Sequence, residues 1–388
     1  MLDTEISIMS LVSQSALGFG PEASWQAYKN PEHRLRRLSG KGFSGEMAGM
    51  LSETDLRQIE LLKEQHPQYR HLDPSVLYAI QAARGAVEAA GWDSDAEYGV
   101  NIGSSRGATH ILETQHESFI NSGRVRPQTS PNSTLGNISS WVAQDLGASG
   151  PVLSHSITCS TALHAVLNGI AWITSGMAKR FLVGGSEAPL TAFTLAQMKA
   201  LKIYSQDGIF PCRALDMAKQ TNTMVLGEGA GMACLEPGRK KGALACIIGV
   251  GYATEPIAHG ASMSADGDCL KRSMEMALNG SPPETVDAVV MHAPGTLKGD
   301  RAEMEAVHRV FGKETPALTT NKWKLGHTLG TSGILSMELA ILMLRHQHFI
   351  EVPYLGKVSG PEKLERVLVN AVGFGGNAVS ICLERGTL

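Results

Sequence analysis

The chain has 388 residues, of which 43% are hydrophobic and 42 are glycine, and a formal net charge of −3. This is enough apolar material for one large or two ordinary cored domains, and the charge balance supplies no bulk basic surface for nucleic acid. No apolar run is long enough to span a membrane, and Met1-Leu2-Asp3-Thr4-Glu5 lacks the basic start of a secretory leader.

In chain order, residues 5–13 read as a first strand. Residues 31–44, with Arg34, Arg36, Arg37 and Lys41, read as a basic surface loop. Helical spacing follows over 51–65 and 76–90, then a buried strand over 98–103 that runs into Ser104-Ser105-Arg106-Gly107. Residues 108–120 read as a helix, 123–127 as a basic loop and 137–146 as a short helix. Pro151-Val152-Leu153 reads as a strand. It leads to Thr158-Cys159-Ser160 and a run over 162–177 that is apolar on nearly every face, as in a helix buried in a core. A thiol at the start of such a helix faces unpaired N–H groups and the positive dipole end, which should lower its pKa and make it a nucleophile. Residues 181–187 form a strand bearing Gly184-Gly185.

The second half repeats this order. A helix over 270–278 and a strand over 286–292 ending in His292 come first. Lys322-Trp323-Lys324-Leu325-Gly326-His327 then leads into an apolar helix over 331–344. A strand over 367–372 ends in Gly373-Phe374-Gly375-Gly376. In this alignment Cys159 matches His327, and Gly184-Gly185 matches Gly375-Gly376. The pattern implies a duplicated α/β fold that brings two helix starts together, with halves 1–236 and 237–388. The six cysteines form no CxxC pair, which argues against a zinc knuckle and for a reducing, cytoplasmic setting.

With these residues in view, the chain resembles a β-ketoacyl synthase, a condensing enzyme of the thiolase superfamily. Four motifs carry the resemblance. They are Thr158-Cys159-Ser160, His292-Ala293-Pro294-Gly295-Thr296, Lys322 with Gly326-His327-Thr328-Leu329-Gly330, and Gly373-Phe374-Gly375-Gly376. The resemblance implies a thiolase fold with duplicated halves in five α-β-α-β-α layers. It implies acylation of Cys159 and decarboxylative Claisen condensation with a malonyl thioester. His292 and His327 would stabilise the enolate. The N–H groups of Cys159 and Phe374 would hold the oxyanion, with Phe374 also acting as a gate. It implies that Glu303 pairs with Lys322, with Asp300 and Lys324 as competing candidates, and that Thr296 binds the pantetheine arm. No metal or redox cofactor is expected, only the phosphopantetheine delivered by an acyl carrier protein. That acidic partner is expected to dock on Arg124 and Arg126. A homodimer, or a heterodimer with a ketosynthase-like subunit, is expected.

Three stretches depart from the family pattern. Pro294 stands where a hydroxyl residue is usual, Asn377 where threonine is usual, and residues 216–226 lack Arg-Asp-Gly-Phe. They suggest a divergent member in polyene, polyketide or fatty-acid synthesis. They also keep open a non-catalytic, chain-length-factor-like subunit, although Cys159 is present. A thiolase acting on coenzyme A esters usually has a second cysteine beside the C-terminal glycines, and Cys382 lies too far along its strand.

Overall fold

Two successive runs of strand- and helix-forming sequence build two sheets of the same plan. The computed structural model describes residues 4–93, 97–135, 137–206, 208–256, 264–312, 314–356 and 360–386. The first run contains β1 (Ile6–Ser15), β2 (Gly18–Phe19), α1 (Gly20–Lys29), β3 (Arg36–Arg37), β4 (Met47–Ala48), α2 (Glu53–Gln65), α3 (Pro74–Ala89), β5 (Gly99–Gly103), α4 (Thr109–Ser122) and α5 (Thr129–Ser133). It continues with α6 (Asn137–Leu146), β6 (Val152–Leu153), α7 (Thr161–Thr174), β7 (Phe181–Glu187), α8 (Ala192–Ala200) and β8 (Gly229–Pro237). The second contains β9 (Ala245–Thr254), α9 (Asp268–Leu278), β10 (Ala288–Val290), α10 (Leu297–Phe311), β11 (Ala317–Thr319), α11 (Lys322–Leu325), α12 (Ser332–His346), β12 (Arg366–Gly373) and β13 (Asn377–Arg385).

The sheets run β2-β1-β8-β7-β5-β6 and β11-β10-β12-β13-β9. Apart from β2, one order maps onto the other, strand for strand. In each sheet the first two pairings are antiparallel and the last two parallel: β1/β8, β8/β7, β7/β5 and β5/β6 correspond to β9/β13, β13/β12, β12/β10 and β10/β11. The chain crosses from one sheet to the other between Pro237 and Ala245.

Packing gives five layers. Val76 and Ile80 of α3 and Val142 of α6 cover one face of the first sheet. Val166 and Ile170 of α7 pack with Ile334 and Leu335 of α12 between the sheets, in one core with Val183 and Val369. Leu270 of α9 and Val307 of α10 cover the far face of the second sheet. Every residue of α12 from Ser332 to Leu344 is buried, because a helix between two sheets has no solvent side.

Besides the short α5 and α11, three longer helices escape the sequence pattern. Helix α1 opens on Gly20-Pro21, and α8 is only 9 residues long. The inward face of α10 includes Asp300 and Glu303, which interrupt its apolar stripe. The expected loop over 31–44 includes β3, paired with β4, and buries Leu35 and Leu38. The glycine match also shifts. Gly184 and Gly185 lie inside β7, whereas Gly375 and Gly376 form the turn beyond β12, both with positive φ. Cys159 stands two residues before α7 and His327 five residues before α12, with a 3-10 turn over Leu329–Thr331 in between.

Two predictions follow from this packing. Gly249 lets α9 lie directly on β9, since a Cβ there would sit 1.9 Å from the Ala277 carbonyl oxygen. Gly249→Ala should lower unfolding free energy by about 1–3 kcal/mol in urea titration, and an unchanged midpoint would refute the close contact. Glu338 lies within buried α12. Ser13 Oγ donates to its Oε1 at 2.7 Å, and its Oε2 has no partner. Burial pushes this carboxyl up to about 7. The folded state therefore keeps a proton that the unfolded chain releases near its ordinary pKa. The resulting stability is complete below that pKa and lost as pH rises through about 7. Glu338→Gln should flatten part of the fall in urea midpoint between pH 5 and pH 8. An identical fall would mean that the carboxyl is ionised in the core.

Candidate active site

The nucleophile turn is built by local side-chain bonds. Thr158 adopts φ +46°, a left-handed conformation that is strained for a β-branched residue. Thr161 Oγ1 accepts from the Ile157 N–H at 2.8 Å and donates to the Thr158 carbonyl at 2.6 Å. Ser160 Oγ donates to the Ile157 carbonyl at 3.0 Å. These bonds hold Cys159 just ahead of α7, whose N-cap is Ser160.

The end of β12 seals this turn. Thr158 Oγ1 donates to the Phe374 carbonyl at 3.2 Å, and the backbone N–H of Phe374 acts on the Cys159 thiol to lower its pKa. A Cβ on Gly373 would lie 1.8 Å from Thr158 Oγ1 and 3.1 Å from Cys159 N, so only glycine permits the approach. The Phe374 side chain is 40% exposed between flexible neighbours.

His292 leaves β10 through a turn in which Ala293 has φ +27°. Glu303 fixes that turn from α10. Its Oε1 accepts from His292 N at 2.8 Å and its Oε2 from Ala293 N at 2.7 Å. Asn370 Nδ2 also donates to Glu303 Oε1, at 3.2 Å. His327 is held by its backbone: its N–H donates to the Val225 carbonyl at 2.6 Å, and its carbonyl accepts from Gly227 N at 3.0 Å. Thr223 N donates to the Gly295 carbonyl at 2.8 Å. The unusual stretch over 216–226 therefore clamps both histidine loops.

These pieces converge. Cys159 Sγ and one ring nitrogen of each histidine lie within 4.8 Å of one another, and the two rings meet edge to face with centroids 5.1 Å apart. All three residues are buried. Leu190, Met198, Tyr204, Met224 and Leu329 belong to the same apolar cluster as Cys159.

Burial also sets the protonation states, and it overturns the expected thiol activation. Desolvation, reinforced by the charge of Glu187, pushes the Cys159 thiol up to about 12. The Lys322 charge and the Phe374 N–H pull it the other way without winning. The helix start is too short-ranged to offset full burial. Desolvation and the Lys322 charge bring His327 down to about 3. Burial, His327 and Lys322 hold His292 well below its ordinary value. Both imidazoles are neutral, and each has a buried Nδ1 without a partner.

The expected Lys322–Glu303 ion pair does not form. Lys322 Nζ donates instead to Asn321 Oδ1 at 2.9 Å and Ser336 Oγ at 3.3 Å. Glu303 is taken up by the two backbone N–H groups of the His292 turn. Burial brings Lys322 down to about 8 and pushes Glu303 up to about 7. The competing candidates serve elsewhere. Asp300 pairs with Lys219 at 2.6 Å and accepts from Gly295 N at 3.0 Å. Lys324 reaches the Asn30 carbonyl and lies over the Trp323 ring. Thr296 is the N-cap of α10, its Oγ1 accepting from Gly299 N at 3.2 Å. Arg124 and Arg126 are exposed on the loop after α4.

Sequence reasoning missed Asn321, Ser336, Asn370, Lys219 and Glu187. Asn370 carried a signal as the one polar residue in Val367-Leu368-Val369-Asn370-Ala371-Val372. Ser336 carried a similar one in an apolar helix.

Comparison with known proteins agrees with this geometry. Residues 5–241 match the family described as beta-ketoacyl synthase, N-terminal domain, and residues 244–353 match its C-terminal domain. The 3-oxoacyl-(acyl-carrier-protein) synthase 2 of Vibrio cholerae is 27% identical, with 96% of each chain covered. The protein of the same name from Staphylococcus aureus is 27% identical over 96% of this chain and 99% of its own. Among solved structures, the ishigamide ketosynthase/chain length factor superposes with TM-score 0.84 at 21% identity, covering 99% of both chains. A beta-ketoacyl synthase from Burkholderia phymatum gives TM-score 0.83 at 22% identity, covering 98% of this chain and 99% of that one. The chain belongs to the β-ketoacyl synthase family and has the thiolase fold of those ketosynthases.

Proposed function

We propose that the chain is a 3-oxoacyl-(acyl-carrier-protein) synthase that joins an acyl group on Cys159 to the carbon of a malonyl thioester, with loss of CO₂. The observation that carries this reading is the convergence of Cys159 Sγ, His292 and His327 within 4.8 Å, beneath the Phe374 N–H.

The chemistry follows from the protonation states. The Cys159 thiol is protonated at rest, so its proton must leave as the sulfur attacks the incoming thioester carbonyl. The sulfur forms the new C–S bond and the carrier thiol departs with the proton. The Cys159 and Phe374 N–H groups hold the carbonyl oxygen as it becomes anionic. In the second step the malonyl C–CO₂ bond breaks and its electron pair passes into the thioester carbonyl, giving an enolate. Neutral histidines suit this step, because each donates one ring N–H to the enolate oxygen without first surrendering a charge. The partnerless Nδ1 atoms then leave Nε2–H as the donor on each ring. The enolate carbon attacks the acyl-Cys159 carbonyl, and the sulfur leaves as a thiolate that takes a proton from solvent to restore the resting thiol. The apolar cluster around Cys159 suits a hydrocarbon acyl chain.

The relatives' names support an acyl carrier protein as donor; its phosphopantetheine arm is proposed as the only prosthetic group. Arg124 and Arg126 are proposed contacts for it, and Thr296 a contact for the arm. One solved neighbour is a type II ketosynthase in complex with its acyl carrier protein, and another is a ketosynthase with its chain length factor from Xenorhabdus doucetiae. They support assembly with a ketosynthase-like subunit; a homodimer is the alternative proposed, in the cytoplasm in either case. Among the described residues no helix is long and apolar enough to cross a membrane. The intact Cys159 and both histidines favour a catalytic subunit over a silent partner.

Two tests follow. Intact-mass analysis after incubation with an acyl-loaded carrier protein should show acyl transfer to wild type and none to Cys159→Ala. His292→Ala and His327→Ala should still be acylated but lose about 10²–10³-fold in malonyl decarboxylation. Acyl transfer to Cys159→Ala would remove Cys159 as the nucleophile. Gly373→Ala forces a Cβ into Thr158 Oγ1. It should slow acyl transfer by about 10²–10³-fold, the loss expected from displacing one oxyanion donor. Wild-type transfer rates would show that the Phe374 N–H is not needed.

A further inference from the structure

A buried lysine ordinarily needs a carboxylate beside it, because an isolated charge in a core is costly. Lys322 is fully buried, yet among the described residues no ion pair closes on its Nζ within 4.0 Å. Its direct partners are two neutral oxygens, Asn321 Oδ1 at 2.9 Å and Ser336 Oγ at 3.3 Å. The two partners are 3.5 Å apart, and the Asn321 amide also reaches the buried Tyr28 hydroxyl at 3.5 Å. Three separate elements, α1, α11 with its N-cap Asn321, and α12, thus build a cradle for one ammonium.

The charges around Lys322 show where its field goes. Glu303 and Asp300 of α10 act on it from a distance, as do the thiols Cys212 and Cys159. Asp300 is already spent on Lys219, and Glu303 on the His292 turn. On the other side the Lys322 charge lowers the pKa of Cys159, His292 and His327 together.

We propose that Asn321 and Ser336 are positioning residues that hold Lys322 as an ammonium without neutralising it, so that its field favours the Cys159 thiolate. A carboxylate in direct contact would hold the lysine as firmly but would screen that field. Neutral oxygens hold the cation and leave its charge on the reacting groups. The cradle also makes the ammonium marginal: burial brings it down to about 8, so charge and field are lost together as pH rises. The proposal deepens the condensing-enzyme reading, on which its importance for turnover rests, but the thiol's reactivity can be measured without any condensation.

The experiment is iodoacetamide alkylation of Cys159 in the full chain, followed by intact mass from pH 6 to 9.5. The thiolate is the reacting form. The rate should climb about tenfold per pH unit while the ammonium persists, then level off near pH 8 as Lys322 loses its proton. Asn321→Ala and Ser336→Ala each remove one acceptor and should move this bend down by about one pH unit. Ser336→Asp adds a counter-ion. It should move the bend up while reducing the rate at pH 7. Lys322→Met should abolish the bend. Thermal melts confirm that each variant is folded, and the two alanine variants keep the test open if the aspartate is not tolerated. A bend unmoved in both folded alanine variants, or retained in Lys322→Met, overturns the proposal. Failure of carrier-protein acylation with a bend that moves as expected would instead count against the condensing-enzyme reading alone.

Discussion

The structure depends on two helices, α7 and α12, that lie side by side between two sheets. Helix α12 is buried on every side from Ser332 to Leu344, whereas α7 buries its first turn and exposes Asn168, Ala171 and Thr174 farther along. The starts of both helices are therefore buried as well. Cys159 and His327 stand at those starts, and His292 and Phe374 come from the loops that follow the adjacent strands of the second sheet. The site is a consequence of the layer order: the duplicated strand plan puts equivalent loops of the two halves against one another.

Burial then governs the chemistry. A thiol and two imidazoles out of contact with water favour their neutral forms, which is the direction found for all three. The helix dipole cannot reverse this for Cys159, because its effect is modest and confined to the first turn. The remaining handle is the Lys322 charge, which acts on the thiol and both rings at once. The same low-polarity setting suits neutral histidines as donors to the proposed enolate.

The departures from the family pattern are absorbed by this framework. Residues 216–226 lack the usual motif, yet they supply Lys219 to Asp300, Thr223 to Gly295 and Val225 to His327. Asn222 Oδ1 also accepts from Leu297 N at 2.8 Å, next to the N-cap of α10. The segment acts as a brace across both histidine loops. Pro294 fits beside Gly299, whose missing Cβ would lie 3.1 Å from its ring. Residues 216–226 and Pro294 thus pack against the loops that carry the two histidines.

Much was legible in order and periodicity. The apolar-all-round runs at α7 and α12, the repeated helix–strand order and the four motifs already implied a duplicated α/β fold with Cys159, His292, His327 and Phe374 at its centre. These are local patterns, and local patterns survive in a sequence. The helices α1 and α10 were not legible, since their buried faces hold polar or charged groups whose partners are distant in the chain. The Glu303–Lys322 pair, which the family resemblance implied, failed because each group found nearer partners, backbone N–H groups for one and Asn321 with Ser336 for the other. The thiol's high pKa is set by total burial and the Glu187 charge against the opposing charge of Lys322, two residues separated by 135 positions. The sequence alone determined which chemical groups are present and in what order. Only the tertiary structure decided which of them touch and which are dry, because desolvation and hydrogen-bond competition are properties of the packed interior.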